Sequence, residues 1–192
     1  MTPPHPRSGL DWNSLLEAGR ERAGGELVSS HGGNLSLRRA GGGALVTTTG
    51  AMLGRLSPER LVAVGAQGRS EEAGAPAPSS DTAIHLAVYA AHAQAGAIVH
   101  VHPVHAIARS LAEGADAIEP ANLEGQLFLK RVPVLDVAWE RSAEPVARAL
   151  RDAPVVVVRG HGSYARGVDV WDALRVTSAL EEAARILTLA GR

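Results

Sequence analysis

Three histidines and one aspartate are the residues of this sequence best suited to hold a metal ion. His100 and His102 flank Val101 in the run Ala97-Ile98-Val99-His100-Val101-His102-Pro103. That run is apolar, rich in β-branched residues and stopped by proline, the pattern of a buried strand that ends as it reaches the surface. Side chains alternate along a strand, so the two imidazoles share one face, about 7 Å apart. Zinc binds imidazole nitrogen at about 2.0–2.1 Å, and two rings on one face can converge on one ion. By itself His-x-His is a weak signal, and two ordinary histidines are the commoner reading. His161 stands between Gly160 and Gly162 at the end of the β-branched run Val155 to Arg159. The glycines permit a tight turn and close approach, and a plain turn histidine fits them equally well. Asp81 begins a helix, where capping is its ordinary role. Combined, three imidazoles and a carboxylate suit Zn²⁺ and tolerate Mn²⁺, Co²⁺ or Ni²⁺.

His85 and Tyr89 follow Asp81 at i+4 and i+8 on the same helix face. His85 reads either as support for the site or as a packed helix histidine, while His92 and His105 read as bystanders. A second group is suited to an anion. Asn34, Thr47 to Gly50, and Ser79-Ser80 all fall at strand ends or a helix start. There hydroxyls, an amide and free backbone N–H groups can converge on a phosphate. Glycine hairpins, β-prone threonines and a capping serine explain the same residues without a ligand.

The elements that must position these residues follow from periodicity. Trp12, Leu15, Leu16, Gly19 and Ala23 recur at helical spacing and stop at Gly24-Gly25. Leu35 and Leu37 alternate with Ser36 and Arg38, and a glycine turn leads to Ala44 to Gly50, so the spacing predicts a hairpin. Ser57-Pro58-Glu59 predicts a short helical turn, and Leu61 to Ala66 a third strand. Gln67 to Ser79 is rich in Gly, Ala, Pro, Ser and Glu and reads as a surface excursion. Helices are expected over Thr82–Gln94, from Pro103 to about Glu113, over Glu144–Leu150 and from about Val170 to Ala190. The last carries Trp171, Leu174, Leu180, Ala184 and Leu187 as its inner stripe. Pro120 to Lys130 reads as a loop with one or two turns around Leu127 to Leu129. Further strands are expected over Val132–Val137, Val155–Arg159 and Ser163–Gly167. Helices and strands interleave but the early strands are hairpin-linked, which predicts a mixed sheet covered by helices.

Composition narrows the function classes. The chain has 192 residues, 45% hydrophobic and 20% charged, with a formal net charge of −1, as for one ordinary globular domain. No basic run exceeds two residues, so nucleic-acid binding has no electrostatic footprint. No apolar run approaches the roughly 20 residues that span a bilayer. The first residues lack a signal-peptide pattern, and with no cysteine any transition metal must use His and carboxylate. A cytoplasmic enzyme is the expectation, with a Pro-rich leader over 1–9 and one domain over 10–192.

Five motifs occur in order: Gly33-Asn34-Leu35-Ser36-Leu37-Arg38, Thr47-Thr48-Thr49-Gly50, Ser79-Ser80-Asp81-Thr82-Ala83-Ile84-His85, His100-Val101-His102-Pro103 and Gly160-His161-Gly162. In this order the sequence resembles the class II aldolase/adducin family over about Leu10 to Leu189, most closely short members of its L-fuculose-1-phosphate aldolase branch. The resemblance implies a single-domain three-layer α/β/α sandwich with a mixed, largely antiparallel central sheet. It implies Zn²⁺ held by His100, His102, His161 and Asp81, and a sugar phosphate whose phosphate lies against Asn34, Thr49, Gly50, Ser79 and Ser80. The implied reaction is aldol cleavage of a ketose 1-phosphate to dihydroxyacetone phosphate and an aldehyde, with the metal as Lewis acid stabilising the enediolate.

Two departures bear on the reaction. The aldolase branch has Glu, thought to be base as well as ligand, where this chain has the shorter Asp81. Ser-Ser-Asp-Thr is instead similar to the L-ribulose-5-phosphate 4-epimerase branch. Dehydratases of the family, such as those of methylthioribulose phosphate, tend to carry Glu here. In Pro120-Ala121-Asn122-Leu123-Glu124-Gly125, Glu124 stands where longer aldolases place a catalytic Tyr. The expected acid–base residues are therefore Asp81 and Glu124, the latter reaching into a neighbouring subunit of a homotetramer. Longer relatives also carry a C-terminal tail over the site that this sequence is expected to lack. A non-catalytic scaffold like the adducin head would have lost metal ligands, and all four are present.

Overall fold

The computed structural model describes residues 10–24, 27 and 31–191, so the 1–9 leader and the Gly25 helix stop lie outside the described residues. In chain order the elements are α1 (Trp12–Gly24), β1 (Asn34–Arg38), β2 (Ala44–Thr47), β3 (Leu61–Val64), α2 (Thr82–Ala91), β4 (Ala97–Val101) and α3 (Val104–Ser110). There follow β5 (Ala117–Ile118), α4 (Leu123–Phe128), β6 (Val132–Leu135), α5 (Ala143–Ala149), β7 (Val155–Val158), β8 (Gly162–Gly167) and α6 (Val170–Leu189). The strands form one sheet in the order β3-β2-β1-β4-β8-β7-β6-β5. Every neighbouring pair is antiparallel except β6–β7, which is parallel. The mixed, largely antiparallel sheet expected from the sequence is the one observed.

Both faces of the sheet are buried, and strand alternation divides them cleanly. Leu35, Leu45, Ala97, Val99, Val101, Val155, Val157 and Ala165 face one core with α1, α3 and α6. Val46, Val62, Ile98, Val156, Val158 and Tyr164 face the other, against α2 and α5. The Val155–Val158 run is buried at every position because it has a helix layer on each side. His100 follows Ile98 by two and therefore points toward α2. In α6, Asp169 caps the helix by accepting the Asp172 N–H at 2.8 Å, a bond worth about 1 kcal/mol.

Several boundaries differ from expectation. The third strand stops at Val64, α2 at Ala91 and α3 at Ser110. The α4 helix starts at Leu123, earlier than expected, because a Cβ at Gly125 would stand 2.4 Å from Pro120 Cβ. Pro120 and Gly125 thus pack one against the other at the start of the helix. Trp171 is 39% exposed and lies off the inner stripe, which runs through Val170, Ala173, Leu174, Thr177 and Leu180. No helix among the described residues is long and apolar enough to cross a membrane.

Candidate metal centre and substrate cleft

Sheet register builds the centre of the site. In β1–β4 pairing Asn34 lies opposite His100, and in β4–β8 pairing His100 lies opposite Tyr164. Asn34, His100 and Tyr164 therefore form one row on the α2 face. Asp81 stands over this row at the start of α2. Its side chain makes no capping bond, so the ordinary N-cap role is not the one it plays. Its Oδ2 instead accepts from Asn34 Nδ2 at 2.8 Å and from the Tyr164 hydroxyl at 3.1 Å, and its Oδ1 accepts from Trp139 Nε1 at 2.6 Å.

The three imidazoles converge at the open end of the row. His102 Nε2 and His161 Nε2 lie 3.1 and 3.2 Å from His100 Nε2. Ligands on a tetrahedral ion with bonds of about 2.0–2.1 Å are about 3.3 Å apart, so these spacings match one shared cation. His100 Nδ1 donates to the Ser163 carbonyl at 2.9 Å, which leaves its Nε2 lone pair directed at the cluster. Among the described residues, the group with donor atoms all within 4.8 Å of one another is His100, His102 and His161. These three fit a divalent metal. Asp81 Oδ2 is 3.3 Å from His100 Nε2, beside this group.

The turn that carries His161 is held from behind. Gly160 has φ +68, a left-handed conformation, and its N–H donates to Ser110 Oγ at 3.0 Å. The Arg159 guanidinium donates to the Ser110 and Ala115 carbonyls, tying the turn to the end of α3.

Electrostatics favour a cation here. Burial pushes His100 down to about 3, against the pull of Asp81, and the neighbouring imidazoles add to the depression. Burial likewise lowers His102 and His161. Each shift favours the neutral ring, the form that can offer a lone pair to a cation. Burial opposes ionisation of Asp81, but the hydrogen bonds donated by Asn34 and Trp139 favour the carboxylate, and the carboxyl lies below the usual range. Burial and the adjacent carboxylate raise the Tyr164 hydroxyl, which stays protonated as a donor. The Tyr164 ring also stacks on His100 at 4.1 Å, tilted by 12°.

A cleft of about 220 Å³ joins the two groups of residues. It is lined by Asn34, Thr49, Gly50, Ser79 and Ser80 together with Asp81, Trp139 and the three imidazoles. The anion-suited residues meet because the end of β2 pairs with the segment before α2. Thr49 N–H donates to the Ala77 carbonyl at 2.9 Å and Ser79 N–H to the Thr47 carbonyl at 3.0 Å. His31 also lines the cleft, and no lysine or arginine does, so an anion would be met by hydroxyls, amides, backbone N–H groups and the His31 imidazole. A larger groove of about 500 Å³ along α6 contains none of the imidazoles.

Of the residues singled out from the sequence, Glu124 stands apart. It is exposed in the first turn of α4 and does not line the cleft of its own chain. His85 is fully buried, with Nδ1 2.7 Å from Ser36 Oγ, which in turn lies 2.7 Å from the Tyr89 hydroxyl. His105 pairs with Glu181 at 2.7 Å and His92 Nε2 donates to the Ala147 carbonyl at 2.8 Å, so both are structural. Trp139 and Tyr164, which bond Asp81, and His31, which lines the cleft, are site residues that sequence reasoning missed. For Trp139 and Tyr164 the one available signal was scarcity, because the chain has only three Trp and two Tyr.

The chain belongs to the Class II Aldolase and Adducin N-terminal domain family, whose sequence pattern matches residues 13–188. It is 32% identical over 185 residues to a methylthioribulose-1-phosphate dehydratase of Methylococcus capsulatus, covering 87% of each chain. A 3-oxo-tetronate 4-phosphate decarboxylase of Haemophilus influenzae is 34% identical over 170 residues, covering 83% of this chain and 79% of that one. The fold matches a crystal structure of L-fuculose-1-phosphate aldolase from Thermus thermophilus with a TM-score of 0.85 and 34% identity, over 94% of this chain and 93% of that one.

Proposed function

We propose that the chain is a metal-dependent lyase that breaks the carbon–carbon bond between the α and β carbons of the carbonyl of a small phosphorylated sugar. In the first reading it is an aldolase, yielding dihydroxyacetone phosphate and an aldehyde. The observation that carries this is the junction of three convergent neutral imidazoles with a hydroxyl-rich, helix-start wall in one cleft. Asn34, Thr49, Gly50, Ser79 and Ser80 would bind the phosphate, fixing the carbonyl end near the imidazoles. A divalent cation, Zn²⁺ in this proposal and Mn²⁺, Co²⁺ or Ni²⁺ as substitutes, would supply Lewis-acid stabilisation of the enediolate left by bond cleavage. His100, His102 and His161 would hold it, with Asp81 as the adjacent anion. As the bond breaks, a base must take the proton of the leaving hydroxyl, and an acid must return one to the enediolate carbon.

Asp81 has three donors on it, so Glu124 is proposed to move these protons in the site of a neighbouring subunit. Leu123 and Leu127, 74% and 66% exposed, flank Glu124 and support an interface there and the proposed homotetramer. A second reading is supported by the decarboxylase relative: loss of CO₂ from a 3-oxo acid phosphate leaves the same enediolate and needs no base at the leaving group. The dehydratase relative supports a further reading, loss of water from a ketose phosphate, and there, as in a retro-aldol epimerase, Glu124 would again move the protons while Asp81 stays fixed. The test is zinc-loaded protein incubated with dihydroxyacetone phosphate and a panel of short aldehydes, with and without chelator. Chelator-sensitive carbon–carbon bond formation is expected. Its absence with every aldehyde overturns the aldolase reading, and CO₂ release from 3-oxo-tetronate 4-phosphate would then favour the second.

A further inference from the structure

The Asp81 carboxylate is gripped from both sides. Trp139 Nε1 donates to Oδ1 at 2.6 Å, while Asn34 Nδ2 and the Tyr164 hydroxyl donate to Oδ2 at 2.8 and 3.1 Å. An indole N–H only donates, so Trp139 suits a carboxylate and offers nothing to a protonated oxygen turned toward it. Trp139 is itself anchored. It opens a short 3-10 turn between β6 and α5, and Ser142 donates to its carbonyl through both N–H, at 3.0 Å, and Oγ, at 2.7 Å. Its ring packs against the core beneath α2 and α5 and also lines the cleft. Tyr164 is buried and stacked on His100, so one residue braces both the imidazole and the carboxylate. With a single methylene between backbone and carboxyl, Asp81 has little reach beyond this bracket.

We propose that Trp139 is a positioning residue: its indole N–H, with the Tyr164 hydroxyl on the other oxygen, locks the Asp81 carboxylate beside His100. There it serves as a stationary anion of the metal centre and does not swing into the cleft as a proton carrier. This inference rests on the metal centre of the proposed function and is independent of the substrate taken.

The experiment is a double-mutant cycle on the full chain, read by Zn²⁺ affinity in competition with a chromophoric chelator and by the visible spectrum of the Co²⁺-loaded protein. The variants are Trp139→Phe, Tyr164→Phe, Asp81→Asn and the two doubles with Asp81→Asn. Phenylalanine keeps most of each ring and removes only the donor. Trp139→Phe is expected to weaken Zn²⁺ about tenfold, within the range for residues that support ligands, and to alter the Co²⁺ spectrum. In the Asp81→Asn background the same change is expected to shift affinity by less than about twofold, because Trp139 acts through the carboxylate. Tyr164→Phe should behave alike, and it carries the cycle alone if Trp139→Phe fails to fold. Equal losses in both backgrounds, or affinities unchanged by either aromatic substitution, overturn the inference. Wild-type protein that binds no Zn²⁺ overturns the metal centre and this inference with it. Wild-type protein that binds Zn²⁺, shows the coupling and cleaves no sugar phosphate overturns only the proposed reaction.

Discussion

Gly162 opens β8 directly against the imidazoles, and alanine there tests the geometry of the centre without replacing any of the three histidines. A Cβ at Gly162 would stand 2.5 Å from the Val101 carbonyl oxygen, 2.7 Å from His102 Cδ2 and 3.1 Å from His100 Cε1. Comfortable contacts lie at about 3.5–4.0 Å, so the overlap is on the order of 1 Å. Gly162 is not among the positive-φ glycines, so the effect is steric and owes nothing to backbone strain. The closest atom is backbone of a paired strand. Relief must part β8 from β4 or turn the His102 ring, and either disturbs Nε2 spacings of 3.1 and 3.2 Å. Zn²⁺ affinity is expected to fall about 10–100-fold, the range seen when support for ligands is lost. Stability of the metal-free protein should fall by about 1–3 kcal/mol, as for overpacking. Gly167→Ala is the control. At the far end of the same strand its Cβ would stand 2.3 Å from Ala173 N, so it should destabilise comparably and leave affinity alone. Chelator competition measures the site and urea unfolding of metal-free protein measures the fold. A Gly162→Ala protein as destabilised as the control, yet binding Zn²⁺ like wild type, would refute this account.

Three further outcomes are expected. Burial lowers His85 to about 4 from 6.5, partly offset by Asp81, so the unfolded chain binds the extra proton between those values. The His85 contribution is complete above pH 6.5 and is lost as pH falls toward 4, in total about 3 kcal/mol. Urea melts of metal-free protein from pH 7.5 to 4.5 should show most of that difference as reduced acid sensitivity in His85→Gln, and an identical pH slope would contradict it. Ser80→Ala should raise KM for the phosphorylated substrate about tenfold with metal content unchanged, since a bond to a charged group is removed; an unchanged KM places the phosphate elsewhere. Glu124→Gln should lower kcat about 100-fold or more without loss of zinc. Mixing it with His100→Ala should restore activity through hybrid oligomers, and no recovery would argue against a shared site.

Much of this fold was legible because its signals are local. Alternation in Leu35 to Arg38, the β-branched run at Val155 and the prolines and glycines that end elements need no tertiary knowledge. The imidazoles were legible for the same reason, since strand alternation places His100 and a glycine turn presents His161. What escaped depends on approach between distant segments. The α4 helix begins with Pro120 resting on Gly125, and Trp171 falls off the stripe because Val170, Ala173 and Leu174 take the buried face of α6. Asp81 reads locally as a helix cap, and only the tertiary structure turns its carboxylate away from that role.

Tyr164 shows how far the site depends on register. It meets His100 and Asp81 because β8 returns antiparallel with Ser163 opposite Val101 and Tyr164 opposite His100. A slip of one residue would turn every side chain of β8 to the opposite face. Tyr164 would then leave the α2 side, and Asp81 would lose a donor while His100 lost its stacking partner. The buried valines of β7 prevent this, since Val156 pairs with Tyr164 and Val157 with Ser163 in a core closed on both faces. The packing that stabilises the sheet therefore also sets the positions of the donors around the carboxylate. Core substitutions in β7 far from the three imidazoles should accordingly be felt at the imidazole cluster whenever they loosen that register.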